Sequence, residues 1–524
     1  MTRPLGDLVR ELELRGMLRT VLARSTMPVG ATSIGGVAFD SRRVNAGDLF
    51  VAVPGAESDG HAFATAAVAA GVVAVIGERA MANVNVPQIL VSSARRALAL
   101  AAAWVNGFAS NELGVVGVTG TDGKTTTCFL VRAMLVECGL SAGLISTIEA
   151  IVGGQSEGYT GHTTPEAPVI QADLRRMVDA GDRFAVIETT SHGLALDRVA
   201  EIAYDIAVFT NLTHEHLDVH GTYEAYVAAK RSLFARLEVG PDNPAKPGIP
   251  KGAVINAQDE RGPEMAAAAL AAGARVLTYA VDPDAAADIV ATAVRDDGRS
   301  ISMRVRTGRW EDELRLQLPG RFNAFNALAA IGVGELLDLD PAAMRRGLAS
   351  VRRVEGRMDL IDEGQPFDVF VDFAHTPGAL AAALDALGPV AAARGGGLIS
   401  LFGSPGARDI AKRPMMGRAA GERSRVVVVT EDDPRTNERM AILEEIAAGA
   451  EEAGKRRGHD LYLIEDRDAA IRQALELARP GDIVLLAGKG HEHTLARAGG
   501  PIPWDEAGIA RAALNEMGYI APKR

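Results

Sequence analysis

Residues 113–126 constrain the fold more than any other stretch. An apolar run, LGVVGV, enters GVTGTDGKTT and continues into helix-forming sequence to about residue 139. A buried strand that turns on glycines into a helix offers backbone N–H groups and the positive helix end to an anion, the layout of phosphate-binding loops. Lys124 can reach terminal phosphates, and the Thr125 hydroxyl can join Mg²⁺. The strict G-x4-G-K-[ST] pattern would put glycine at position 118, where valine stands, so the loop is a variant. Such a unit belongs in a doubly wound α/β sheet. Further strands at 184–188 and 206–210 end in polar residues, at the carboxyl edge where such sheets bind ligands.

At roughly 150 residues per domain, 524 residues suggest three or four domains. Hydrophobic residues make up 48% and charged residues 23%, which supplies buried cores and excludes a disordered chain. Aromatics are only 5%, which favours helices packed on parallel strands over a β-sandwich. The 55 basic and 67 acidic residues give −12, the wrong sign for a protein that coats nucleic acid. Cys128 and Cys138 lie ten residues apart in one expected helix, about 15 Å along its axis. A disulfide needs Cα atoms within about 7 Å, so none is expected, as befits a reducing cytoplasm. The N-terminal residues lack a signal-peptide core, and the longest uncharged run, 62–77, falls short of the ~18 residues of a membrane span. A soluble cytoplasmic protein with no membrane span and no nucleic-acid partner is expected.

Three segments differ in texture. Residues 1–112 read as a small α/β unit with strands at 49–53 and 72–76 and helices at 62–70 and 94–108. Residues 113–352 carry the phosphate loop. Residues 353–524 read as a second doubly wound domain with strands at 369–372, 398–402, 426–430 and 483–486. PDNPAKPGIPKG, residues 241–252, reads as a surface loop.

Other constellations point to chemistry. Glu188 with Ser191 and His192 at one strand end, and Asn211, His214, His216, Asp218 and His220 at the next, can hold a second Mg²⁺ beside the loop. The alternative is a polar loop in which His214 and His220 cap turns. Lys230, by spacing alone, is a solvated lysine on an amphipathic helix. Asp372 and His375 fall where a third-segment strand ends. Asp432, Asp433, Pro434 and Arg435 place two carboxylates and a guanidinium on a stiff turn, which suits a zwitterion or an ordinary ion-paired turn.

Together FDSRRVNAGDLFVAVPG, GVTGTDGKTTT, HTTPEA, ETTSHGLALDR, FTNLTHEHLDVHGTYEAYVAAK, LPGRFNAFNALAA, VEGRMD, VDFAHTPGAL, ARDIAKRP, TEDDPRTNE and AGKGHE, in that order, resemble the Mur ligase family from about residue 35 to 510. These are ATP-dependent amide-forming enzymes of peptidoglycan synthesis, and the likeness is greatest to the branch that makes the UDP-muramoyl-tripeptide. The resemblance implies a UDP-binding N-terminal domain, a central P-loop-type ATPase domain and a C-terminal Rossmann-like domain. It assigns Ser41 and the 55–58 turn to the uridine diphosphate, and Thr163, Thr164, Thr190 and Arg198 to the muramoyl-dipeptide. Gly120, Thr121, Asp122, Gly123, Lys124, Thr125 and Thr126 form the ATP loop. Thr125, Glu188 and His216 are the implied Mg²⁺ ligands, joined by Lys230 as a CO₂-derived carbamate, because an ammonium cannot ligate a cation and a carbamate can. Asn323, Asn326, Arg357, Asp372 and His375 would face ATP. Arg408, Asp432, Asp433, Pro434, Arg435, Gly488 and Glu492 would hold the incoming amino acid.

The implied reaction activates a D-glutamyl carboxylate as an acyl phosphate, which the amine of meso-2,6-diaminopimelate then captures; a monomer is expected. Arg435 offers a fork to the second carboxylate that diaminopimelate has and lysine lacks. An L-lysine-adding ligase is the alternative, and a non-catalytic P-loop protein a more distant one. Three departures stand out. Leu196 replaces a common glutamine, SPGARD replaces C-G-G-D-R-D, and D-D-P-R replaces the D-N-P-R usual in the diaminopimelate type.

Overall fold

The computed structural model describes all residues except 1, 23–28, 56–57, 159–160, 214–219, 240–242, 407–409 and 521–524. Its contacts group into two units, Met1–Thr278 with Ile331–Asp340, and Tyr279–Ala330 with Pro341–Arg524.

The first unit contains two large sheets. The N-terminal one has five strands in the order Leu18–Leu22, Gln88–Val91, Ala74–Gly77, Leu49–Val51, Val37–Ala38, parallel apart from the first pair. Leu5, Leu8 and Leu12, spaced to share one face of the helix Leu5–Leu14, pack into its core with Leu98 and Trp104 of the helix Ala94–Val105. In the second sheet Ala142–Ile145, Phe184–Glu188, Gly114–Thr119, Ile206–Phe209 and Gly252–Asn256 lie side by side and parallel. The phosphate-loop strand is therefore flanked by two strands that come later in the chain, the switch-point arrangement that opens a crevice at the carboxyl edge. Register brings Glu188 level with Val118 and Phe209 level with Thr119, so three loops leave that edge together.

In the second unit Ile289–Asp296, Ile301–Arg306 and Glu311–Leu316 form an antiparallel ribbon. A six-stranded sheet follows in the order Asp359–Ile361, Asp368–Asp372, Ile483–Ala487, Leu398–Phe402, Val426–Val429, Leu461–Leu463. The valine run shows why both faces must be covered. Val427 and Val429 enter one core with Leu384, Met416 and Ile446, while Val426 and Val428 enter the other with Ile471 and Leu514. Among the described residues no helix is long and apolar enough to cross a membrane. Among the described residues neither Cys128 nor Cys138 forms a disulfide, and burial pushes the Cys128 thiol far up, so it stays protonated.

Candidate active site

Residues 120–123 form the turn between the strand Gly114–Thr119 and the helix Lys124–Glu137. Gly120 is required by crowding, since a Cβ there would lie 1.8 Å from Thr210 Oγ1. The neighbouring strand end closes on the loop. Thr121 N–H donates to Asn211 O at 2.8 Å, Asp122 N–H to Asn211 Oδ1 at 2.9 Å, and Thr210 Oγ1 to Asp122 O at 2.6 Å. Lys124 Nζ donates to Thr121 O at 2.7 Å. The loop is held in shape before any anion arrives, which lowers the cost of ordering it on binding.

Glu188, 1% exposed, collects donors from three segments. Thr125 Oγ1 lies 3.0 and 3.1 Å from its two oxygens, and Thr147 donates to it through N–H at 3.0 Å and Oγ1 at 2.8 Å. Thr147 Oγ1 is also 3.0 Å from Thr163 Oγ1. Thr164 Oγ1 donates to Glu188 O at 2.8 Å and lies 3.0 Å from Thr190 Oγ1, while Arg198 Nη1 donates to Thr164 O at 2.9 Å. One connected network thus joins Thr125, Glu188, Thr163, Thr164, Thr190 and Arg198. Thr147 belongs to it and was not picked out from the sequence, because no local pattern marks it.

Lys230 is not the solvated lysine that its spacing suggests. It is 2% exposed, its Nζ donates to Gly120 O at 2.5 Å, and it sits 4.6 Å over the Tyr226 ring. Tyr226 Oη in turn meets Thr121 Oγ1 at 2.9 Å. Of the histidine loop, His192 and His220 pack ring to ring at 5.4 Å. His214, His216 and Asp218 lie outside the described residues.

Ser41 lines a cavity of about 500 Å³ in the N-terminal part of this unit, with Arg42, Gly55, Ser58, Arg95 and Glu166. Arg42 is taken up by Asp40, whose carboxyl it holds well below the usual range. Glu166 pairs with Arg198 at 2.7 Å, which ties this cavity to the threonine network.

In the second unit Asp372 ends the strand Asp368–Asp372 and His375 follows it. Asp372 accepts from Met358 N–H at 2.7 Å and Ala374 N–H at 2.8 Å, and His375 Nδ1 meets Phe373 O at 2.8 Å. Arg357 lies 4.6 Å over the Phe373 ring, against which His375 and His491 also pack. Asn323 and Asn326 are buried one turn apart and bonded to each other at 2.8 Å.

The acidic turn is more closed than an open zwitterion site would be. Asp432 is 5% exposed, and Lys489, itself fully buried, reaches Asp433 at 2.9 Å, Glu492 at 2.5 Å and Asp432 at 3.9 Å. Burial pulls the Lys489 ammonium down, but the three carboxylates outweigh it and hold it above its usual range. Burial pushes Asp432 and Glu492 up. Gly488, at φ +107°, leaves room for Asp432, since a Cβ there would be 2.7 Å from its Oδ2. Lys489 stands within AGKGHE, yet only the fold reveals that it is the cation of this cluster. Pro434 is buried, and the Arg435 guanidinium meets no carboxylate within 4 Å among the described residues. Arg408 lies outside them.

His491 is 4% exposed, and burial, with like-charged Arg357, His493, Lys489 and His375, pushes it from 6.5 down to about 3. Between those values the unfolded chain binds the extra proton, so the stabilisation is present above pH 6.5 and lost as pH falls toward 3. His491→Asn should therefore flatten the decline of Tm between pH 7 and pH 4, as followed by thermal melts.

A phosphate loop at a switch point beside a buried Thr–Glu pair, in a chain that also carries a doubly wound sheet with an acid-and-lysine cluster, is the layout of a nucleotide-dependent α/β enzyme. Comparison with known families makes this specific. Residues 33–104 match "Mur ligase family, catalytic domain", residues 118–334 "Mur ligase middle domain", and residues 356–490 "Mur ligase, glutamate ligase domain". A UDP-N-acetylmuramyl-tripeptide synthetase of Roseiflexus sp. (strain RS-1) is 45% identical over 97% of this chain and 100% of its own length. A UDP-N-acetylmuramoyl-L-alanyl-D-glutamate–2,6-diaminopimelate ligase of Solibacter usitatus (strain Ellin6076) is 39% identical over 98% and 99%. A solved structure of a ligase of that latter name superposes with a TM-score of 0.66 at 28% identity, covering 99% of this chain and 100% of its own. The chain belongs to the Mur ligase family, with its three-domain architecture and its ATP-dependent amide-ligase chemistry.

Proposed function

We propose that this ligase joins meso-2,6-diaminopimelate to the D-glutamyl γ-carboxylate of UDP-N-acetylmuramoyl-L-alanyl-D-glutamate, as a cytoplasmic monomer with domains 1–112, 113–352 and 353–524. The observation that carries the reading is the network in which the loop threonine Thr125 and Thr147 bond the Glu188 carboxylate and Thr164 its carbonyl, with Thr163 joined through Thr147 and Thr190 through Thr164. It gives a single edge for both a nucleotide and the acid to be activated.

The donor set suits Mg²⁺. Thr125 and Glu188 present hard oxygens beside the loop, and Lys230 can add anionic oxygens only as a carbamate. When bound, the metal offsets charge on the phosphoryl group in transfer. The loop N–H groups and Lys124 hold the β- and γ-phosphates. Arg198 and Thr190 orient the dipeptide so that its carboxylate oxygen attacks the γ-phosphorus and ADP leaves. The amine then attacks the acyl carbon, loses its proton and expels phosphate. The cavity at Ser41 takes the uridine diphosphate, and Asn323, Asn326, Arg357, Asp372 and His375 serve the nucleotide. The acidic cluster receives the amino group of the incoming amino acid, and Arg408 and Arg435 its carboxylates.

Mass spectrometry of the product made from the UDP-linked dipeptide and an equimolar mixture of meso-diaminopimelate and L-lysine tests the assignment. The diaminopimelyl tripeptide is expected to dominate; a lysyl product in equal or greater amount would refute it. Lys489 Nζ and Ala496 N–H both contact Oδ1 of Asp433, at 2.9 and 2.8 Å. Asparagine keeps an acceptor there but removes one of the three negative charges around the buried Lys489, so Asp433→Asn should lower Tm modestly while the protein still folds. With one negative charge fewer in the cluster that receives the amino group, the KM for diaminopimelate should rise by up to about fivefold.

A further inference from the structure

We propose that Arg467 is a positioning residue that sets the spacing of the two loops in the amino-acid pocket, and through it the affinity for the incoming amino acid. The inference rests on the reading that those loops hold that substrate. One loop, 432–435, follows the strand Val426–Val429, and the other, 488–492, follows Ile483–Ala487. The strand Leu398–Phe402 lies between them, so no ladder hydrogen bond fixes their distance directly. Arg467 spans the gap. Its Nη1 donates to Glu431 O at 3.0 Å and its Nη2 to Ala487 O at 2.8 Å, the carbonyls immediately before Asp432 and Gly488.

The other edge of the guanidinium is fixed as well. Nε and Nη2 donate to Glu506 at 3.0 and 2.7 Å, and Trp504 Nε1 donates to Glu506 Oε2 at 2.7 Å. Arg467 is 0% and Glu506 2% exposed. A buried ion pair is a weak source of stability in itself. A planar five-donor fork, however, can hold two carbonyls and a carboxylate at fixed separations, which an apolar pair or a lysine cannot. Loop spacing matters because the clearances are small. The Asp432 carboxylate lies against Gly488, and Lys489 reaches across to Asp433. A shift of one loop therefore changes the charge geometry offered to an amino acid.

The test is steady-state kinetics of the full-length enzyme with Arg467→Lys and Glu506→Gln, measuring KM for ATP, for the UDP-dipeptide and for meso-diaminopimelate and L-lysine in turn, with Tm alongside. Arg467→Lys should raise the amino-acid KM about tenfold or more. The other two KM values should stay within about twofold and the preference between the amino acids should narrow. Glu506→Gln should give a smaller rise in the same constant. A lower kcat with all KM values unchanged, an equal rise in all of them, or failure of both variants to fold would overturn the proposal. If the wild-type enzyme releases no ADP in response to either amino acid, the proposed function fails instead.

Discussion

Lys124→Ala should lower turnover by about 10²–10³-fold while the protein still folds, with ADP release measured in the presence of both the UDP-dipeptide and the amino acid. The side chain is only partly buried, and among the described residues it donates one hydrogen bond, to Thr121 O at 2.7 Å. Losing one such bond costs about 1 kcal/mol, a small change in Tm. The loop keeps its shape through Asn211, Thr210 and Tyr226, none of which depends on Lys124. What disappears is a cation beside the phosphates at the moment charge redistributes. Near-normal turnover would mean that phosphoryl transfer happens elsewhere in the chain.

Lys230→Ala should be comparably inactive, for a different reason, and the two variants should part company on rescue. Truncation removes the donor to Gly120 O and opens a cavity beside Tyr226, so a loss of stability of about 2–4 kcal/mol is expected as well. If the working form is a carbamate, acetate or formate can supply the missing anionic oxygens and restore part of the turnover. No carboxylate should restore Lys124→Ala. Intact-mass analysis of the wild-type protein should show the added mass of CO₂. An unmodified lysine, together with no rescue, would remove the carbamate from the mechanism.

Much of the scaffold was legible because it rests on local pattern. Uniform valine runs signal strands covered on both faces, and a glycine turn between a strand and a helix signals the phosphate loop. Placing acidic and polar residues at strand ends brought Glu188 to the loop edge as expected. Lys230 shows the limit of that reasoning. Tyr226, Lys230, Leu233 and Phe234 share the buried face of the helix Tyr223–Ala235, so the lysine occupies a core position. A stripe read for its apolar members alone passes over a charged one whose partner, Gly120, is 110 residues away. Thr147 and the Arg467–Glu506 pair were missed for the same reason, since their partners are set by the fold and not by spacing. The ribbon at 289–316 is a different omission. Ile301–Arg306 alternates buried and exposed residues, a period-two signal that the chain itself carries.

The fit of Gly120 against Thr210 has a practical bearing on engineering this ligase. Thr210 Oγ1 occupies the space that a side chain at 120 would need and donates to Asp122 O, and Asn256 Nδ2 donates to Thr210 O at 2.7 Å. Segments 114–126, 206–213 and 252–256 therefore behave as one heritable block. Chimeras that exchange them between parents should inherit all three from the same donor, and mutagenesis libraries should vary positions 120 and 210 jointly.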